Sequence, residues 1–336
     1  MTPESRRRVS VILPVRNRFD LAARAIRSVV EQTHRPLELI VVDDASEQPF
    51  AFPESQRLDD LPAQVIRLEA NSGPGAAREA GRLRAAGDFL AYLDSDDYWA
   101  PRHLEAAVAA LGKAPEKGMA YSAVLEMRDG AAGEFRRWSD EEYKEILPAL
   151  LWGRPWHTSA CVWRRETADA IGPWLPLWHF EDYEHDCRGG CLGTKLVHLP
   201  EPTCFVQADA PGRQSDSPVE RRRVDNYGVA ILSMSRRLRR SGWADDAPVR
   251  ERSRELLVAV AAKAADLNMK RLSAMSMAEA WKWPQPSAKL VAAGVIGVLM
   301  LGLSLGGTAA RFFRWAKPEA PRQRGLSEGT SMDGLD

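Results

Sequence analysis

Apolar residues first gather at Val9-Ser-Val-Ile-Leu13, a short β-branched run closed by Pro14, which predicts a buried opening strand. From Asp20 to Gln32 the spacing turns helical, with Leu21, Ala25, Ile26, Val29 and Val30 on one face. Leu37 to Val42 returns to a strand and runs into Asp43-Asp44. A strand, a helix and a strand in so short a stretch predict a βαβ unit, whose crossover is almost always right-handed. Gln64 to Leu68 predicts a third strand, and Pro74 to Ala86 a helix closed by Gly87. Phe89-Leu-Ala-Tyr-Leu93 predicts a fourth buried strand, and Asp94-Ser95-Asp96-Asp97 follows it directly. Pro101 stands where the next helix starts, with Leu104, Ala107, Val108 and Leu111 as its buried stripe.

Further on, Met119 to Glu126 and Cys161-Val-Trp163 predict strands, the second leading into a helix that ends near Ile171. Residues 127–155 look irregular apart from a short amphipathic piece between Glu141 and Leu151. His179 to Arg188 reads as a loop entering a helix, Lys195 to Leu199 and Thr203 to Gln207 as edge strands, and Asp209 to Ser217 as a flexible segment. Beyond 218 two helical stripes appear, Val224, Tyr227, Ile231, Met234, Leu238 and then Leu256, Leu257, Val260, Ala264, Leu267. Their many Lys and Arg predict solvated faces.

This alternation predicts an α/β fold, a mostly parallel sheet with helices on both faces, followed by a helical C-terminal extension. In such sheets ligands collect beyond the carboxyl ends of the strands. Asp43/Asp44 and Asp94/Asp96/Asp97 both fall on that rim. Carboxylates so close repel unless a cation or proton offsets them, and a hard divalent ion takes carboxylate oxygens together with the phosphates of a substrate.

Composition narrows the partners. The 336 residues carry 46 basic and 46 acidic side chains, so no global field argues for nucleic acid. Four cysteines in a chain this long fit a reduced compartment, and Cys187, Cys191, His198 and Cys204 lack the C-x2-C spacing of a zinc knuckle. The polar, basic N-terminus does not read as a signal peptide. Leu290 to Ala310 is uncharged and would extend about 31 Å as a helix, with Trp281, Trp283 and Trp315 as candidate interface anchors. It predicts membrane association, spanning or lying on the surface, on the inner face of a cell membrane for a cytoplasmic protein.

Five blocks in order, Val9 to Pro14 with Asn17, Glu38 to Ser46 with Asp43-Asp44, Asn71-Ser-Gly73 with Ala77-Arg78, Asp94-Ser-Asp96-Asp97 with Trp99 and Pro101, and Glu181-Asp182, resemble the family 2 glycosyltransferases. The resemblance covers roughly residues 8 to 215 and implies a GT-A, Rossmann-like fold using a nucleotide-sugar donor. It implies a domain at 1–217, nucleotide-binding over 8–115 and acceptor-binding over 116–217. A helical extension at 218–288, a membrane-associated segment at 289–317 and a disordered tail at 318–336 follow.

By that resemblance Pro14, Asn17, Asp43, Asp44, Gly73, Arg78 and Asp94 serve the donor. Asp96 binds Mg2+ or Mn2+, with Asp94 or Asp97 in support. Asp182 is the base of an inverting direct displacement, and Glu181, Trp174 and Trp178 lie near a glycan or lipid-linked acceptor. Many relatives complete the metal or diphosphate site from a loop after the sheet with a His, or with Arg and Ser. This chain offers Arg213, Gln214 and Ser215 there, and Arg213 is the expected partner of the diphosphate. The competing readings are a catalytically silent sugar-nucleotide binder and a membrane-anchored interaction protein. A dinucleotide oxidoreductase is disfavoured, because Gly73-Pro-Gly75 does not follow the first strand.

Overall fold

The computed structural model describes residues 7–52, 58, 60–128, 131–135, 139–208, 220–286, 288–302 and 309. β1 (Val9–Val15) pairs in parallel with β2 (Glu38–Asp43) on one side and β4 (Phe89–Tyr92) on the other, and β3 (Ala63–Arg67) adds in parallel to β2. The crossovers are α1 (Phe19–Val30) and α2 (Gly73–Arg84). α1 turns Ala22, Ala25, Ile26 and Val29 into a core shared with Leu39 and Val41, while Ala77 of α2 packs with Ile40 and Val42. Alternate residues of one strand therefore face opposite helical layers, as its two-residue period requires.

Then come β5 (Tyr98–Trp99), α3 (His103–Lys113), β6 (Met119–Arg128), β7 (Ala131–Phe135), β8 (Cys161–Arg164), α4 (Arg165–Ile171), α5 (Glu181–Cys191) and β9 (Leu196–Gln207). Among the described residues the sheet has nine strands in the order β3-β2-β1-β4-β8-β6-β9-β5, with β7 on β6. The sheet turns from parallel to mixed at β8, which runs antiparallel to both β4 and β6. Two expectations are corrected here. The stretch after 127 is not wholly irregular, because β6 continues to Arg128 and pairs with β7. The two expected edge strands are one strand, β9, lying between β6 and β5. Its register against β6 shifts around Ser122–Val124, where Pro200 and Pro202 withhold ladder donors.

The extension comprises α6 (Glu220–Arg240), α7 (Ala247–Asp266), α8 (Lys270–Trp281) and α9 (Ala288–Gly302). One hydrophobic cluster runs from Ile12, Tyr92 and Trp163 through Tyr183 to Val224, Tyr227, Ile231, Leu257 and Val260, so sheet and bundle share a core. Polar ties cross the same seam, Ser233 Oγ donating to Glu184 Oε1 at 2.8 Å and Arg252 Nε to the Leu151 carbonyl at 2.9 Å. The bundle's cations are not all solvated as expected. Arg252 and Arg254 are only 4% and 3% exposed and pair with Glu255 and Glu251. Trp283 is likewise no interface anchor, since it is buried and donates to Ser235 Oγ at 2.9 Å. Trp281 packs on Gly294, where a Cβ would come within 2.3 Å of the indole, so α9 folds back onto α8.

No helix among the described residues is long and apolar enough to cross a membrane. α9 nevertheless leaves Val291, Val295 and Leu299 at 40%, 47% and 62% exposure along one line. The expectations for Asp209 to Ser217, Trp315 and the tail lie outside the described residues.

Candidate active site

β4 brings the chain to the rim, and Asp94 to Asp97 form a tight turn there, Asp97 N donating to the Asp94 carbonyl at 3.0 Å. The Asp97 carboxylate is turned inward and accepts from Ser159 Oγ at 2.6 Å, and that hydroxyl accepts from Asp94 N at 3.1 Å. Ser159 lies in a 3-10 turn, Thr158–Ala160, that leads into β8 beside β4. His157 sits just before this turn, with Nδ1 at 3.3 Å from Asp97 Oδ2. Asp94, Asp97 and His157 thus present two carboxylate oxygens and a ring nitrogen within 4.8 Å of one another. Burial, and then the charges of Asp96 and Asp94, push the Asp97 carboxyl well above its ordinary range. Burial acts the same way on Asp94, but the Arg78 guanidinium and His157 more than offset it and hold that carboxyl low. Asp96 lines the cleft and is ion-paired with Arg18 at 2.8 Å.

The acidic pair after β2 divides its roles. Asp43 is buried, accepts from the backbone N–H groups of Ser46 at 2.9 Å and Phe50 at 3.0 Å, and pairs with Arg67, so it shapes the turn. It does not line the cleft. Asp44 does, and it accepts from Ser72 N at 2.7 Å and Gly73 N at 2.9 Å, while burial raises its pKa. Asn17 binds two loops together, its N–H donating to Ser46 Oγ at 3.0 Å and its Oδ1 accepting from Glu47 N at 2.8 Å. Pro14 lines the cleft wall. Gly73 has φ +86°, and a Cβ there would lie 2.9 Å from Trp178 Cδ1, so both backbone and space call for glycine. Arg213 lies outside the described residues.

α5 supplies the opposite wall. Arg78 donates to Asp94 Oδ1 and to Glu181 Oε1, each at 2.6 Å. Burial, and then the charge of Asp182, push Glu181 up to about 7 against the pull of Arg78. Asp182 opens onto the cleft, with Oδ2 at 3.3 Å from Arg154 Nη1. Arg154 is itself fixed by Asp186 at 2.8 Å and the Trp156 carbonyl at 3.0 Å. The two tryptophans expected at the acceptor part company. Trp178 lines the cleft, whereas Trp174 is buried beneath it, stacked on His185 at 3.9 Å and donating to Tyr92 Oη at 3.0 Å. The cleft encloses about 520 Å³, and Arg222 and Arg223 of α6 complete its lining.

Pro14, Asp44, Arg78, Asp94, Asp96, Asp97, Trp178, Glu181 and Asp182 therefore meet in one cleft, with Gly73 against its wall. Sequence reasoning missed His157, Arg154, Arg18 and the two arginines of α6. The first two fall in a stretch with no periodicity, marked only by turn residues around Gly153-Arg-Pro-Trp-His157.

Residues 10–171 match the family model described as glycosyl transferase family 2. The chain contains a glycosyl transferase family 2 domain. An uncharacterized glycosyltransferase of Nostoc sp. is 28% identical over 176 residues, covering 51% of this chain and 55% of the relative. The amylovoran biosynthesis glycosyltransferase AmsB of Erwinia amylovora is 26% identical over 202 residues, or 57% of this chain and 67% of that one. The aligned part thus spans only about half of the Nostoc relative, and 36% of a Bacillus subtilis one. Beyond the family 2 domain the likeness is one of fold. The crystal structure of S. aureus TarS 1-349 in complex with UDP-GlcNAc superposes with a TM-score of 0.63 at 15% identity, covering 91% of this chain and 90% of that one. The mannosyltransferase PcManGT of Pyrobaculum calidifontis, in complex with GDP-Man and Mn2+, gives 0.51 at 19% identity, covering 92% and 85%.

Proposed function

We propose that the chain is a glycosyltransferase that moves a sugar from a nucleoside-diphosphate donor to an acceptor hydroxyl by direct displacement with inversion. The observation that carries this reading is the meeting, in one cleft, of the Asp94–Asp97–His157 cluster with Asp182 on the facing wall. The cluster suits Mg2+ or Mn2+. Its oxygen donors fit either ion, an imidazole fits a transition metal, and the raised Asp97 carboxyl marks a place where negative charge lacks a counterweight. A divalent ion bound there would offset charge on the leaving diphosphate. Asp94 and Asp97 with His157 would hold it, with Asp96 at the rim beside Arg18.

Asp44 and Pro14 border the expected nucleoside end, and Arg78 fixes the carboxylates of both walls at once. Asp182 is the base that takes the acceptor's hydroxyl proton as its oxygen attacks the anomeric carbon. Arg154 braces that carboxylate at the cleft, and Trp178 offers an aromatic face for a sugar ring.

The named relatives and neighbours favour cell-envelope or surface glycan synthesis. The exposed line Val291, Val295 and Leu299 on α9 supports contact with the cytoplasmic face of a membrane, where a lipid-linked acceptor would lie. Thermal unfolding with Mn2+ and a panel of nucleotide sugars tests the core of this reading. Stabilisation that needs both metal and nucleotide is expected. Stabilisation by neither would leave a family 2 fold without transferase function.

A further inference from the structure

The cleft wall contributed by the extension is cationic in a way the donor site does not explain. Arg222 stands over the Trp178 ring, its guanidinium carbon 4.4 Å from the ring centroid. A stacked guanidinium keeps its in-plane N–H fork directed sideways, ready for an anion. Among the described residues no carboxylate forms an ion pair with Arg222. Of the other arginines in the cleft lining, Arg18 pairs with Asp96, Arg78 pairs with Asp94 and Glu181, and the charge of Arg16 acts on Asp44. Arg223 lines the same wall.

The wall is held in place. Trp178 N donates to Asn226 Oδ1 at 2.6 Å, one turn along α6, and Phe180 packs on Tyr227 with ring centroids 4.6 Å apart. His179 between them is half-buried, and burial, then Arg223 and Arg222, hold its pKa down. Segment 178–182 ends in Asp182 and lines the same cleft as the two arginines.

We propose that Arg222 and Arg223, backed by the Trp178 ring, form an anion subsite for the acceptor, which is then a glycan bearing phosphate or carboxylate groups. This rests on the transferase reading above and narrows its acceptor class.

Affinity electrophoresis of the full chain tests it, with poly(glycerol phosphate), alginate or neutral dextran cast in the gel. Retardation by an anionic polymer but not by dextran is expected, and comparison of the two anionic gels separates phosphate from uronate. The Arg222→Glu/Arg223→Glu double variant should lose at least roughly fivefold in apparent affinity. Arg240→Glu, about 27 Å away along α6, should lose little. Equal retardation by dextran, an unaffected double variant, or an equal loss in Arg240→Glu would each overturn the proposal.

Thermal shifts with Mn2+ and UDP or GDP on wild type and double variant separate this from the donor site. If the double variant loses nucleotide stabilisation but keeps polymer retardation, the arginines belong to the donor and the proposal fails. If the wild type shows no nucleotide stabilisation, the transferase reading fails with it.

Discussion

Nη1 of Arg78 lies 2.6 Å from Oε1 of Glu181, and both side chains are shut away from water. The other arm of the same guanidinium holds Asp94. One buried cation therefore sets the spacing between the cluster after β4 and the first turn of α5. Arg78→Met would leave two carboxylates facing each other without a counter-charge. Breaking a buried pair from one side costs about 3–5 kcal/mol. Urea unfolding should show a loss of that order, partly recovered in Arg78→Met/Glu181→Gln. A loss within experimental error would mean the triad contributes no cohesion.

Asp182→Asn keeps the size and most contacts of the side chain but removes the proposed proton acceptor. Removing a general base typically costs about 10²- to 10⁴-fold in rate. Nucleotide affinity should stay close to that of the wild type, measured by titration calorimetry, while acceptor-dependent nucleotide release falls by that factor. Turnover within threefold of wild type would remove Asp182 from the role of base.

The metal cluster makes its own prediction. EDTA should abolish nucleotide-dependent stabilisation of the wild type, and Mn2+ should restore it. His157→Ala and Asp97→Asn should each raise the Mn2+ concentration needed for half the effect by roughly tenfold or more. Asp96→Ala breaks the ion pair with Arg18 and should have a smaller effect on metal but a larger one on the cleft rim. If Asp96→Ala weakens metal dependence more than the other two, the ion sits nearer Asp96 than the cluster geometry implies.

His103 governs part of the acid limb of stability. It is fully buried, stacks on Trp99 with ring centroids 4.6 Å apart, shares a 2.8 Å hydrogen bond with Thr203 Oγ1, and burial lowers its pKa from 6.5 to about 3. The unfolded chain binds a proton below pH 6.5 that the folded chain refuses, so this contribution is whole above 6.5 and is lost as pH falls toward 3. The slope is about 1.4 kcal/mol per pH unit. His103→Gln should flatten the decline between pH 6 and 4 by about 3 kcal/mol in denaturant melts. An unchanged slope would assign acid sensitivity in that range to another group, since Asp186, which burial raises but Arg154, His185 and Trp156 hold at about 2, loses its contribution only as pH falls from 3.8 toward 2.

Much of this arrangement was legible before any coordinates. β1, β2 and β4 announce themselves because they are buried on both faces and are therefore continuous apolar runs. Asp94 and Asp97 could be placed on the rim because they follow such a run directly. β9 was split in two by Pro200 and Pro202, since a sequence does not reveal that a register shift in β6 accommodates them. Trp174 and Trp178 are indistinguishable as letters, and only packing sends one under the cleft and leaves the other at its wall. His157 and Arg154 escaped notice because their positions are set by long-range contacts to Asp97 and Asp186, not by any local period.

Ile12 and Tyr92 of the sheet belong to one apolar cluster with Val224, Tyr227 and Leu257 of the bundle. The chain between β9 and α6 is therefore a seam in sequence only. A fragment ending there would expose the underside of its own cleft wall, and a hybrid joining halves of two relatives at that point would inherit mismatched packing directly beneath Asp182. If α5 and α6 bind the acceptor as proposed, exchange of acceptor preference between relatives would have to carry the two helices together, as a single heritable block.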